Sequence, residues 1–147
     1  MPRPVDGPDP SSSGPRPHRR KALAALLAML TGWAGLHRLY MRSSLWWVYP
    51  MIALPAIGWA LRGEPWFRQP GFFIFSLIVV MGLAEAIITA LTPDERWDHR
   101  HNLASGRVSA NGWAPVLIAI GSLIVGALLG MTVMAIALEG FFLTRRG

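Results

Sequence analysis

The sequence predicts an all-α membrane protein: about four transmembrane helices in a small bundle, with a short surface helix between the third and the fourth. Two features of composition and one of arrangement carry that expectation. Of 147 residues, 52% are hydrophobic and only 15% are charged, against about 25% charged in an average soluble domain. The apolar residues fall into four blocks, 22–36, 45–61, 72–91 and 113–138. A hydrocarbon core of about 30 Å takes roughly 20 such residues as a helix, so the last two blocks are long enough alone. The first two are shorter and need the Trp and Tyr residues at their ends to complete a crossing.

Residues 1–17 hold six of the twelve prolines, a Ser-Ser-Ser-Gly run and no large apolar residue except Val5. Such a segment buries too little surface to offset its ordering entropy and is expected to be a disordered tail. His18-Arg19-Arg20-Lys21 then flanks the first apolar block. No clean small-x-small site follows Ala34, and three more apolar blocks come after it, so this reads as an uncleaved span, about 22–38, and not a signal peptide. Ala28, Gly32 and Gly35 are small enough to let another helix approach closely, and the two glycines can equally bend or end the helix.

The polar corner 37–44 joins this span to the next, about 44–61, and Trp46, Trp47 and Tyr49 suit an interfacial aromatic belt. Pro50 and Pro55 each remove a backbone donor and predict a kink or a break in the second span. The third span, about 72–91, carries Glu85. Thr92-Pro93-Asp94-Glu95 has the form of a capping box and predicts a surface helix over 93–101. Residues 103–112 form a Ser/Gly/Asn loop, and 113–147 supply an additional span and a basic tail. In that span Ser122, Gly126 and Gly130 make a small-residue stripe for helix packing.

The net charge is +6, and the basic residues cluster beside the apolar blocks. A lipid surface is therefore the expected partner, and nucleic acid is not. With four crossings, Arg16, Arg19, Arg20, Lys21, Arg62, Arg68, Arg145 and Arg146 share one side, opposite Arg38, Arg42, Arg96, Arg100 and Arg107. The positive-inside rule then puts both termini in the cytoplasm.

Gly32-x-x-Gly35-x-His37-Arg38-Leu39-Tyr40, after the Lys21-flanked Ala/Leu run, resembles the signature of the TM-two (two-transmembrane) domain family, Gly-x-x-Gly-x-His-Arg-Phe-Tyr. Asp94-Glu95-Arg96-Trp97-Asp98-His99-Arg100-His101-Asn102 is similar to the acidic Phe-Asp-x-x-Tyr-Asn stretch of its bacterial members. The resemblance spans 21–102. Leu39 replaces Phe, and Met41-Arg42 stands where the family has Leu-Gly-Arg. The resemblance implies an integral protein of the bacterial inner membrane with no enzymatic activity.

Glu85 is the chief candidate for chemistry, because an ionisable group inside a span is costly and marks either a function or a pairing. It reads as a proton or cation site, or as a carboxylate paired with Arg38, Arg42 or a Ser/Thr hydroxyl, or protonated in place. Glu139 reads as interfacial. His37 and Arg38 suit lipid headgroups, a partner's acidic segment, or plain anchoring of the corner. Asp98, His99 and His101 offer metal-capable groups, but histidines two apart point to different helix faces. No cysteine, Gly-rich phosphate loop, nucleophile elbow or intramembrane carboxylate pair is present, so neither a catalytic residue, a metal nor a cofactor is expected. The function expected is structural or regulatory association with a membrane partner or with itself. The alternative is a subunit of a homo-oligomeric transporter or channel using Glu85.

Overall fold

The computed structural model describes residues 18–103, 108–110 and 112–146. The expected tail 1–17 and half of the loop 103–112, with Arg16 and Arg107, lie outside them. Among the described residues the fold is all-helical: α1 (Lys21–Thr31), α2 (Leu36–Tyr40), α3 (Val48–Ala60), α4 (Pro70–Leu91), α5 (Asp94–His101) and α6 (Ala114–Arg146). Two 3-10 turns, Gly32–Ala34 and Trp66–Arg68, join α1 to α2 and α3 to α4.

Two helices, α4 and α6, are long and apolar enough to cross a membrane, with 22 and 33 residues. That is fewer than the four expected. At 1.5 Å per residue α4 is about 33 Å long. The other two apolar helices, α1 and α3, have only 11 and 13 residues.

The reason for the short first helix lies at Gly35. Its φ is +71°, a left-handed conformation that glycine adopts without a Cβ clash. A Cβ there would also lie 2.4 Å from the carbonyl oxygen of Trp46. The chain reverses at this point. Lys21, at the head of α1, reaches the C-terminal end of α4: its Nζ donates to the Thr92 carbonyl at 2.8 Å and pairs with Asp94 at 2.5 Å. Eleven residues on, Gly32 meets Gly82 near the middle of α4. α2 then climbs back toward the head of α1. The Tyr40 hydroxyl accepts from the Arg20 amide at 3.0 Å, and Arg19 Nη1 donates to the Met41 carbonyl at 3.0 Å. The corner expected at the far end of the first span thus lies against its near end.

α3 covers the other half of α4. Leu45 and Val48 share a cleft with Ile78 and Met81, while Ala56 and Ala60 crowd Gly71 at the opposite end. α1 and α3 consequently run one after the other along α4, joined through the Gly32–Ala34 turn, with α2 looped out between them. The break falls at residues 35–47. The prolines do not make it: Pro50 sits in the first turn of α3, where no helical donor is missed, and Pro55 lies inside a continuous helix.

α6 runs antiparallel to α4 along its whole length. Ala119 packs with Ala25 and Ala90 at one end, Gly126 faces Leu83, and Glu139 pairs with Arg68 at 2.7 Å at the other. The small-residue stripe divides: Ser122 is fully buried, Gly126 touches α4, and Gly130 has open space where a Cβ would sit.

The capping box does not form. Thr92 donates its hydroxyl backward to the Ile88 carbonyl at 2.7 Å, and no side chain caps α5, which starts at Asp94. The Thr92 carbonyl is occupied by Lys21 instead.

Candidate functional site

Three elements bring polar side chains together at the break. α4 supplies Glu85, α2 supplies His37 and Arg38, and the first turn of α3 supplies Tyr49. The left-handed Gly35 starts α2 so that His37 and Arg38, at its second and third positions, face α4. His37 Nε2 meets Glu85 Oε2, and Arg38 Nη2 donates to Oε1. Arg38 Nε donates to Oε2 at 3.3 Å, and the Tyr49 hydroxyl donates to Oε1 at 2.6 Å. The Arg38 guanidinium stacks over the Tyr49 ring at 5.1 Å, and the His37 ring meets the same ring edge-on at 5.7 Å. His37 is fully buried.

Both carboxylate oxygens of Glu85 therefore carry two contacts each. Such a group is neutralised and closed: the fork of Arg38 matches the carboxylate plane, and Tyr49 and His37 fill the remaining lone pairs. His37 Nδ1 and the Ser122 hydroxyl are buried and without hydrogen-bond partners among the described residues. No cluster of three or more His, Cys, Asp or Glu side chains with metal-binding geometry forms among the described residues.

Of the motif residues, Gly35 makes the reversal, Gly32 makes the close approach to α4, and His37 and Arg38 hold Glu85. Tyr40 does not join them; it caps the Arg20 amide. Arg42 makes no ion pair with Glu85. Tyr49 joins the cluster although its position, next to a Trp pair, fits an interfacial belt. The signal that could have found it is its register: it stands fourteen residues after Gly35, at the start of the helix that follows the corner.

A second polar network explains the acidic stretch 94–102. Trp97 is buried and donates Nε1–H to the Arg19 carbonyl at 3.0 Å. Asn102 accepts from the Arg19 amide at 2.9 Å and donates to its carbonyl at 3.1 Å. Asp98 holds Asn102 at 2.7 Å and takes the Ser109 amide at 2.6 Å and its hydroxyl at 2.5 Å. The network pins Arg19, two residues before α1, to α5.

Partial desolvation pushes the Asp98 carboxyl up, but the hydrogen bonds from Ser109 and Asn102 outweigh it and hold the group below the ordinary carboxylate range. A depressed folded-state value means that this stabilisation is present above the unfolded value, near 3.9, and is lost as pH falls through the folded one. The Ser109 amide is thus expected to lose protection from hydrogen exchange only as pH falls below the ordinary carboxylate range, and Asp98→Asn to show weaker protection with no such pH step. Equal protection of both proteins from pH 7 to pH 3 would contradict this account.

No protein-family model, curated protein or solved structure matches the chain.

Proposed function

We propose that the chain is a small polytopic integral membrane protein of the TM-two type, acting by structural or regulatory association with other components of a bacterial inner membrane. The observation that supports this most is the closure of the Glu85 cluster. A transported proton or cation needs an oxygen that can exchange its partner. Both oxygens of Glu85 are engaged by Arg38, His37 and Tyr49, and the four residues together come from the three elements that meet at the break. The cluster works as a lock on the shape of the N-terminal half. What the chain then offers its surroundings is the long apolar face of α6 and the basic ends of its helices.

The same contacts favour three crossings: α1 and α3 as one discontinuous span, then α4, then α6. Irregular backbone inside a bilayer is tolerated where protein satisfies it, as the turn bonds from Gly35 to Gly32, Ser43 to Arg38 and Val48 to Leu45, and the Arg19 guanidinium on the Met41 carbonyl, do here. Arg19, Arg20, Lys21, Arg96 and Arg100 then share one side, and Arg62, Arg68, Arg145 and Arg146 the other. The positive-inside rule puts the first group in the cytoplasm. In this arrangement the two termini lie on opposite faces, which replaces the expectation that both are cytoplasmic.

The absence of cysteine makes the test clean, since every introduced thiol reports alone. Arg20→Cys and Arg100→Cys are expected to react with an impermeant maleimide from the same face of sealed vesicles, and Gln69→Cys and Thr144→Cys from the other. Labelling of positions 20 and 100 from opposite faces would restore four crossings. The association role is tested by cross-linking in native membranes followed by affinity purification. A reproducible adduct is expected; ion flux in liposomes that Glu85→Gln abolishes would overturn the reading in favour of transport.

A further inference from the structure

Charge is left over at one place in the break. Arg38 is paired with Glu85, Lys21 with Asp94 and Arg68 with Glu139. Arg42 is exposed and forms no ion pair among the described residues. Its backbone is also the only non-glycine one with positive φ among those residues, at 57°. For an L-residue with a Cβ, the left-handed region is disfavoured. Strain kept at an exposed, uncompensated cation is a reason to look for what the cation meets.

Arg42 lies in the turn between two residues that line a single cleft: Arg38, four residues before it, and Leu45, three after. The cleft has a volume of about 370 Å³ and lies between α3 and α4. Below Arg38 its walls are apolar, among them Val48, Ile52, Leu77 and Met81. It runs from the level of Glu85 down to Ile74, eleven residues along α4, or about 16 Å. Above it the turn carries Ser43 and Ser44, and beside it Trp46 and Trp47 are exposed. Exposed Trp side chains belong at the boundary between headgroups and hydrocarbon. Because α2 climbs back to the head of α1, where Arg19 holds the Met41 carbonyl, this polar turn stands beside the basic residues that open α1.

We propose that the turn 41–47 and the cleft beneath it bind one anionic phospholipid, its phosphate against Arg42 and an acyl chain along Val48, Ile52, Leu77 and Met81. Charge decides the occupant. An uncompensated guanidinium in the turn that links Arg38 and Leu45, two residues of an apolar trough, complements a headgroup that carries net negative charge, and a zwitterionic lipid leaves that cation without a matching charge. A basic side chain near a membrane surface contributes about 1 kcal/mol toward anionic lipid.

The proposal rests on the membrane reading above. The full chain, purified in mild detergent, is titrated with phosphatidylglycerol or with phosphatidylcholine of the same acyl chains. Bound lipids are counted by native mass spectrometry, and circular dichroism checks that each variant keeps its helices. One phosphatidylglycerol is expected to be retained, with about fivefold preference over phosphatidylcholine. Arg42→Gln is expected to abolish the preference and Arg42→Lys to keep it. Ile52→Trp, which fills the cleft from its lipid-facing edge, is expected to lower retention of both lipids. No preference in the wild type, or an unchanged preference in Arg42→Gln, overturns the proposal. Displacement of the lipid by millimolar inorganic phosphate alone also overturns it, because the site would then belong to a soluble anion. Failure of the membrane reading gives a different result: the chain would be released from vesicles by carbonate wash, before any lipid is added.

Discussion

Glu85→Leu is expected to cost about 3 kcal/mol, the low end of the range for removing one partner of a buried ion pair, because Glu85 and Arg38 are partly exposed while His37 beside them is fully buried. Its loss leaves the Arg38 guanidinium with no counter-charge, His37 with neither ring nitrogen bonded, and the Tyr49 hydroxyl without an acceptor. The three elements that converge at the break lose their common centre together. Unfolding in mixed micelles by dodecyl sulfate titration gives the free energy. The double variant Arg38→Leu/Glu85→Leu is expected to recover the part of the loss that comes from the unpaired guanidinium, while His37 and Tyr49 still lack their acceptor. A single-variant effect below about 1 kcal/mol, the size of an exposed pair, would mean that Glu85 is solvated and that the cluster does not hold the fold.

Gly82→Ala carries the second large effect. A Cβ at this position would lie 2.7 Å from the Gly32 Cα, and one at Gly32 would lie 2.6 Å from the Gly82 Cα. The obstacle is backbone on both sides, so no side chain can swing away. α1 must move off α4, and overpacking of this kind costs about 1–3 kcal/mol. Alanine is favoured over glycine in a helix by up to about 1 kcal/mol, which the clash has to outweigh. Gly130→Ala is the control. Nothing lies within 4 Å of its added methyl group, so it gains the helix preference with no clash. If the two variants unfold alike, the close approach of α1 and α4 is not a feature of the folded protein.

Much of the helical content was legible from apolarity and turn residues, because each apolar block became a helix. Their course through space was not. Hydrophobicity records that a segment avoids water and carries no information on whether it crosses or returns. That is decided at Gly35 by a single φ. Gly32-x-x-Gly35 was open to two readings, a packing surface and a bend. The fold uses one glycine for each: Gly32 packs and Gly35 bends.

Prolines were the obvious breakers of the second span, yet α3 absorbs Pro55 and the break falls earlier. Glu85 stood out as a costly intramembrane acid, and Arg38 was among its expected partners. Tyr49 was not, because an aromatic residue beside a Trp pair fits a headgroup belt equally well. At Arg42 the sequence lacks the glycine that the family resemblance leads one to expect, and the backbone takes the left-handed turn regardless. Thr92-Pro93-Asp94-Glu95 had the letters of a capping box, but its first hydroxyl was claimed by the preceding helix.

The looped-out arrangement of α2 has a consequence for synthesis. His37 meets its carboxylate 48 residues downstream, and the Arg19 amide meets Asn102 83 residues downstream. A ribosome must therefore deliver α4 and α5 before the N-terminal half can close. Until then the nascent chain holds two short greasy helices and a cationic turn with nothing to neutralise it.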